Sequence, residues 1–480
     1  MIITALHISD LHRDSGSAIT TDSLLESLRR DRERYTKRGI PTPDLAVVSG
    51  DIVYGVISDG PNAESLLKAQ YVEAATFLTE LADMFFHGNR ERVILVPGNH
   101  DISHPHVLRA TEPTPIPAEA TQRALLASQL SEDNSTWRWV ASDFALRRLV
   151  DQDMYRRRLE PYAEFYAGFY AGKRSFSLDP SKQFAVHDLA DLGLVVAGLS
   201  SCCDNDLFNR AGRIHPDCVA GATRAVAEHV KNGRLALAVW HHNLAGGPKD
   251  TDYVDADVLQ SLIDGGFVIG LHGHQHRPQF LQHRFTADRK MAISVVSAGT
   301  LCGGPKTLPS GRMRSYNLIV LDAEQRTGTV HVRDMKNSGF GMPVWGEAYV
   351  DEFSGASMTF GIEIPVRPAS VIQASAEAAE LMQKGDLAGA YGLARLHPED
   401  GMARRVALEA LTRLEDWAEL QKFCSPPRSA PEFIALAGAL YEVGNKPALA
   451  ALLKSDYARE STDAGIRQAI DLANSRLGGR

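Results

Sequence analysis

"FVIGLHGHQH", Phe267 to His276, runs from an apolar stretch straight into three histidines at alternate positions, His272, His274 and His276. The apolar part is too short for a core helix and is bounded by glycine, so it reads as a buried strand. Its end therefore carries imidazoles to the rim of a sheet. The same grammar recurs along the first part of the chain. "IITALHIS", "DLAVVSGD", "RVILVPGNHD", "LGLVVAGLSS", "RLALAVWHHN", "AISVVSAGT" and "SYNLIVLD" are short apolar runs that close on polar or glycine-rich residues. Helical-period segments, Asp22 to Tyr35 and Ala63 to Phe86, fall between several of them. This alternation predicts an α/β (or α+β) layered domain with its sites at strand ends.

Five of those ends carry the chemistry: "DLH" at Asp10 to His12, "GD" at Gly50 and Asp51, "GNHD" at Gly98 to Asp101, "HH" at His241 and His242, and "GHQH" at Gly273 to His276. Singly each is commonplace. Together they bring hard oxygen and imidazole donors to five strand ends. If the segments are extended, side chains alternate, so Asp10 and His12 point one way, as do His274 and His276. Glycine at positions 50, 98 and 273 permits close backbone turns. Asp51 has two carboxylate oxygens and can bridge two ions, and Asn99 adds a neutral amide oxygen. Without thiolates, the donor set favours Mn, Fe, Zn, Ni or Co without selecting among them, and two Mn2+ ions are the expectation, with Zn2+, Fe, Ni2+ or Co2+ as alternatives.

In this order the motifs resemble the calcineurin-like metallophosphoesterases, a superfamily that includes protein phosphatases, purple acid phosphatases, cyclic-nucleotide phosphodiesterases and Mre11-type nucleases. The resemblance covers roughly the first 330 residues apart from an insertion. It implies a four-layer β-sandwich of two mixed sheets flanked by helices, with a two-metal site at the shared edge. Carried over, Asp10, His12, Asp51 and His276 would hold one divalent ion, and Asp51, Asn99, His241 and His274 the other. His100 would be catalytic near the leaving group, oriented by Asp101. His272 is expected to be structural. At His242 the pattern departs from relatives, where proline commonly follows the double histidine; here Asn243 does. Tyr54 falls where purple acid phosphatases have a ligand tyrosine, but with His12 present it reads as a pocket or packing residue.

The implied reaction is hydrolysis of a phosphate ester by a hydroxide shared between the ions. "HISDLH" and "GNHD" resemble both the cyclic-nucleotide phosphodiesterases and the Mre11-type nucleases, so the expected substrate is a nucleotide or nucleic-acid phosphodiester. A phosphomonoesterase is the alternative. So is a partner-docked effector whose C-terminal helices bind another protein, or a second copy, and control the enzyme.

At 480 residues the chain is too long for one ordinary core. The expected division is a catalytic domain over 1–350, with an insertion at about 102–192, a linker at 351–370, and a helical-hairpin domain over 371–480. The insertion reads as a helical, aromatic subdomain with its own small core, or more pointedly as a lid. From Ser131 to Arg174 it holds eight Lys or Arg against seven Asp or Glu, so it is not a basic patch. In the last part, segments starting at Leu381, Leu411 and Leu440 resemble one another. Each reads as helix, Gly-Asp-type turn, helix, similar to a tetratricopeptide array but with shorter spacing and without its full aromatic pattern. A net charge of −8 argues against a long sequence-blind grip on nucleic acid, although bound cations reverse the sign locally. Five scattered cysteines without a CxxC pair predict reduced thiols and a cytoplasmic protein. No apolar run approaches the roughly 20 residues needed to cross a bilayer, so no membrane partner is expected.

Overall fold

All eight of those apolar runs form strands in the computed structural model. It describes residues 2–478 apart from 15, 17–18, 59, 131–134, 141–142, 245–252, 287–290, 305–307, 309–310, 338–340, 351–352, 364–368, 399 and 462–463. In chain order the strands are β1 (Ile2–Ile8), β2 (Leu45–Ser49), β3 (Val93–Val96), β4 (Thr111–Thr114), β5 (Trp137–Val140), β6 (Ala145–Leu149), β7 (Phe184–Leu189), β8 (Leu194–Leu199), β9 (Leu235–Val239), β10 (Phe267–His272), β11 (Gln279–Arg284), β12 (Ala292–Ser297), β13 (Ser315–Asp322), β14 (Thr327–Met335), β15 (Trp345–Glu347) and β16 (Ser357–Gly361). One sheet runs β15-β14-β13-β1-β2-β3, with β16 also on β14, and the other runs β11-β12-β10-β9-β8-β7. β1, β2 and β3 are parallel, as are β8, β9, β10 and β12, while β13 and β7 pair antiparallel.

Period-two alternation explains the layering. Ile3, Ala5, Leu45, Val47, Ile94 and Val96 of the first sheet meet Leu194, Val196, Leu235, Leu237, Val239, Ile269 and Leu271 of the second in one core. The intervening residues Leu6, Ile8, Ala46, Val48, Val93 and Leu95 face the other way. They pack on Leu24, Leu25 and Leu28 of α1 (Thr21–Thr36) and on Leu67, Phe77, Leu78 and Leu81 of α2 (Ala63–Phe86). Helix Pro216–Lys231 lies against β7, β8 and β9 on the outside of the second sheet. The result is the four-layer sandwich.

The segment between β3 and β7 differs from the helical reading. Trp137–Val140 and Ala145–Leu149 are strands, and with β4 they make a three-stranded sheet. The pattern Trp-Arg-Trp-Val pairs with Ala-Leu-Arg-Arg-Leu, and cross-strand pairing overrides the helical period. Among the described residues, the segment's aromatic helices pack into a shared core rather than one of their own. Tyr155, Leu159, Tyr162, Phe165, Tyr166, Phe169 and Tyr170 join the cluster made by α1, α2 and the first sheet. The inserted stretch also ends sooner than 192, because Phe184–Leu189 is the edge strand of the second sheet.

The chain divides into two compact units, Met1–His283 with Ala292–Ile364, and Arg284–Met291 with Pro365–Arg480. The expected linker 351–370 lies partly outside the described residues. In the second unit three helix pairs share one turn. Ala369–Gln383 pairs with Leu387–Ala394, Gly401–Arg413 with Trp417–Phe423, and Ala430–Glu442 with Lys446–Leu453. Before each second helix stands a left-handed residue, Gly385, Glu415 or Gly444, followed by a capping Asp386, Asp416 or Asn445 whose side chain accepts the amide three residues on.

In the first unit α1 is fastened through a buried ion pair. Asp31, 0% exposed, accepts from the Arg333 guanidinium at 2.9 and 2.6 Å and from the Tyr316 hydroxyl at 2.5 Å. Removing one partner strands the other charge. Asp31→Ala is expected to destabilise the first unit by about 3–5 kcal/mol, read as a lower denaturant midpoint; a change below about 1 kcal/mol would refute the assignment.

Candidate metal centre

Parallel strands deliver their carboxyl ends to one edge, and the chain knits the two sheets together there. The Ser49 carbonyl, at the end of β2, accepts from Nδ1 of His241, past the end of β9, at 2.7 Å. Asp10 Oδ2, past β1, accepts from the backbone amide of His274, past β10, at 3.1 Å. Asp10 and His12 continue the pairing by donating their amides to the Gly50 and Asp51 carbonyls at 3.1 and 3.0 Å.

Two groups of donors converge at this seam. In the first, His276 Nε2 lies 3.1 Å from Asp10 Oδ1 and 3.2 Å from His12 Nε2, and His12 Nε2 lies 3.9 Å from Asp51 Oδ2. In the second, His241 Nε2 lies 3.3 Å from Asp51 Oδ1, 3.0 Å from Asn99 Oδ1 and 3.3 Å from His274 Nδ1; His274 Nδ1 is also 3.0 Å from Asn99 Oδ1. Asp51 thus turns one oxygen to each group. All seven residues read from the sequence as ligands lie here, and His100 stands beside them, its Nε2 3.9 Å from Asp51 Oδ2.

The geometry that gathers them is not the expected strand alternation. Asp10, His12, Asp51, His274 and His276 all have positive φ, between 43° and 76°. Each is a left-handed turn residue at a cost of about 1–3 kcal/mol. The turns aim the side chains, and glycine makes room. A Cβ on Gly98 would overlap the Asp51 carboxylate and amide, one on Gly50 the His241 ring, and one on Gly273 Ser9 and Asp10.

Electrostatics are set by burial and by mutual charge. Burial opposes ionisation of Asp51 and Asp10, yet nearby imidazoles, His241 and His100 for the first and His276 for the second, hold both below the usual carboxylate range. Burial also disfavours the charged form of His241, but Asp51 outweighs it and its pKa rises to about 9. His12, beside them, is pushed down to about 4 by burial. The residues suit a pair of divalent cations on two counts. Imidazole, carboxylate and amide donors crowd at contact distance, and Asp10 Oδ1 is buried with no hydrogen-bond donor aligned on it. Asp10-His12-His276 and Asp10-Asp51-His241 are each compact enough to hold an ion.

The remaining residues sort themselves by contacts. His272 is structural, stacked on Trp240 with its Nδ1 on the Gly273 carbonyl. His242 packs its ring 4.7 Å from that of His274 but spends its nitrogens elsewhere, Nδ1 2.8 Å from Ser201 Oγ and Nε2 3.2 Å from Asn205 Nδ2. Tyr54 is half exposed and lines a cleft of about 300 Å³ with Asn99, His100 and His274. Asp101 does not orient His100, contrary to the sequence reading. The carboxylate of Asp101 accepts the backbone amides of Gly98, Ile52 and Val53 and the Tyr71 hydroxyl. Burial, with the charge of Asp51, raises it to about 7, and it serves as a brace for the turn. His100 is held instead by the Tyr54 carbonyl, to which its Nδ1 donates at 2.6 Å. Sequence reading also passed over the loop Ser200–Arg213, which walls the cleft with Asn205, Asp206, Leu207 and Arg210; "SSCCDNDLFNRAGR" follows a predicted strand but carries no ligand pattern.

The family model described as calcineurin-like phosphoesterase matches residues 3–278. Similar solved structures include a dimetal phosphatase from Danio rerio (TM-score 0.38, 10% identity, covering 69% of this chain and 96% of that one). A purple acid phosphatase from yellow lupin seeds matches with TM-score 0.35 and 9% identity over 75% of this chain and 54% of that one. The protein TT1561 of Thermus thermophilus matches with TM-score 0.33 and 14% identity over 70% and 99%. No curated protein sequence matches.

Because Gly98 abuts Asp51, Gly98→Ala should lower stability by about 1–3 kcal/mol and weaken divalent-cation binding at the same time. Gly392→Ala, on a helix with nothing within 4 Å of the new methyl, should leave cation binding alone and add up to about 1 kcal/mol. Calorimetric metal titration and denaturant unfolding of both variants check the pair; intact cation affinity in Gly98→Ala would contradict the packing argument.

Proposed function

Since the chain belongs to the calcineurin-like phosphoesterase family, whose members are metal-dependent phosphoric ester hydrolases, we propose that it is a phosphodiesterase acting on a nucleotide or nucleic-acid diester. The observation that carries the phosphoester reading is the cleft beside His100, and the diester preference rests on the likeness of "HISDLH" and "GNHD" to the phosphodiesterases and nucleases. The cleft walls pair site residues Asn99, His100 and His274 with Tyr54, Ile57 and Leu207, which suit an organic arm on the phosphate.

Asp10, His12, Asp51 and His276 would hold one divalent ion, and Asp51, Asn99, His241 and His274 the second. When bound, the ion pair, with Mn2+ the first choice, supplies Lewis acidity and a water acidic enough to attack at neutral pH. The chain does the rest. His241 donates Nδ1–H to Ser49, which fixes its ring so that Nε2 faces Asn99 and Asp51. His100 donates Nδ1–H to Tyr54, leaving Nε2 toward the cleft. As the water oxygen, having released one proton to solvent, bonds to phosphorus and the bond to the organic arm breaks, protonated His100 gives its Nε2 proton to the departing oxygen and is reprotonated from solvent. Asp101 keeps the turn that carries Asn99 and His100 in register with Asp51.

His100→Ala should retain metal and lose about 10²–10⁴-fold in kcat. Asp51→Asn, which removes charge from both donor groups, should lose metal itself. Elemental analysis after gel filtration separates the two, and equal metal loss in both variants would contradict the roles. With Mn2+, bis-p-nitrophenyl phosphate should be cleaved in preference to p-nitrophenyl phosphate; the reverse preference replaces the diester reading with a phosphomonoesterase.

A further inference from the structure

The inserted segment reaches the cleft directly through His104 and also grips one loop of its wall. Asp206 on that loop, 4% exposed, accepts from Arg138 Nε at 2.7 Å, from the Tyr155 hydroxyl at 2.6 Å, and from the amides of Phe208 and Asn209 at 2.7 and 2.8 Å. Arg158, 1% exposed, donates to the carbonyls of Cys202, Cys203 and Asn205 at 3.1, 2.5 and 3.2 Å. Asn205 Nδ2 contacts the Ala211 carbonyl and His242 Nε2, both at 3.2 Å, and so ties the loop to the end of β9. The loop is pinned from both sides.

What it presents is Arg210. That side chain is exposed and lines the cleft with Tyr54, Ile57, His100, His104 and Leu207. The nearby carboxylates are engaged elsewhere: Asp206 as above, and Asp204 with Arg213 at 2.7 Å. His104 is pushed down to about 4 by burial and by His100, which leaves it neutral. Among the described residues lining the cleft, Arg210 alone carries a permanent positive charge. A guanidinium carried on a loop pinned by buried polar contacts, in a cleft that Tyr54 also lines and whose carboxylate Asp206 is engaged elsewhere, is suited to forked binding of a phosphate.

We propose that Arg210 determines specificity by binding a second phosphate of the substrate, carried on the organic arm and distinct from the phosphoryl group that reacts. This rests on the phosphodiesterase reading of the same site. The preferred substrate class is then an open nucleotide diester with a further terminal or internucleotide phosphate, ahead of cyclic nucleotides and neutral-armed diesters.

The test uses the full chain with Mn2+ and two p-nitrophenyl esters of thymidine 5′-phosphate, one with a free 3′-hydroxyl and one with a 3′-phosphate. The intact protein should prefer the 3′-phosphorylated ester. Arg210→Gln should lower the ratio of the two kcat/KM values by about 10–100-fold, mainly through KM, the range for one charge-assisted contact. Arg210→Lys should restore part of it. An unchanged ratio in Arg210→Gln, or no preference in the intact protein, overturns the proposal. If neither ester is cleaved, the hydrolase reading fails by itself, and binding still decides the role of Arg210. Calorimetry with thymidine 3′,5′-bisphosphate and thymidine 5′-phosphate should show Arg210→Gln weakening the bisphosphate selectively; equal effects on both ligands overturn it.

Discussion

Two carboxylates, Asp10 and Asp51, are buried to 0% and 2% exposure at the seam between two sheets. An isolated buried carboxylate is expensive, so the chain must supply positive charge or oriented hydrogen around it. Much of the local architecture answers that demand. Imidazoles from β9 and β10 cross the seam to reach them, main-chain amides of His100 and His274 donate into them, and glycines are placed where a methyl would collide with them. Five of the candidate ligand positions accept left-handed backbone to make the approach. Stability is given up at the edge so that donors can meet there, and the two apolar layers behind the strands hold the strain in place.

Much of this was legible in the sequence because it rests on residue type. Apolar strands that stop abruptly at Asp, Asn and His identify themselves, and the seven ligand candidates do converge. The route by which they converge was not legible. Alternation along an extended strand singles out Asp10 with His12 and His274 with His276, yet all four are in left-handed turns, where side-chain direction depends on backbone torsion that the sequence leaves open. The partner of His100 was hidden for a related reason. It is a main-chain carbonyl, and any residue at position 54 would supply one. Adjacent Asp101 offered itself as the partner by type, but its oxygens are taken by amides.

The inserted segment was misread where its periods compete. Trp137 to Leu149 mixes aromatic, aliphatic and basic residues in a way that a helix also tolerates, and pairing of β5 with β6 decides it. Its aromatic helices looked self-sufficient because their apolar faces are rich, whereas those faces complete the layer that α1 and α2 begin. The turns of the C-terminal helices were easier to read, since a left-handed residue followed by a short polar cap is a local device that needs no distant partner.

Arg138, Tyr155 and Arg158 reach the mouth of the site only through backbone carbonyls and one carboxylate of Ser200–Arg213. The segment that shapes the entrance is thus fused to the scaffold through its aromatic helices, while its hold on the entrance loop is a handful of polar contacts. Evolution can retune selectivity in such a molecule by altering those few contacts or lengthening the loop they hold, while the apolar layer and the chemistry at the seam are inherited untouched.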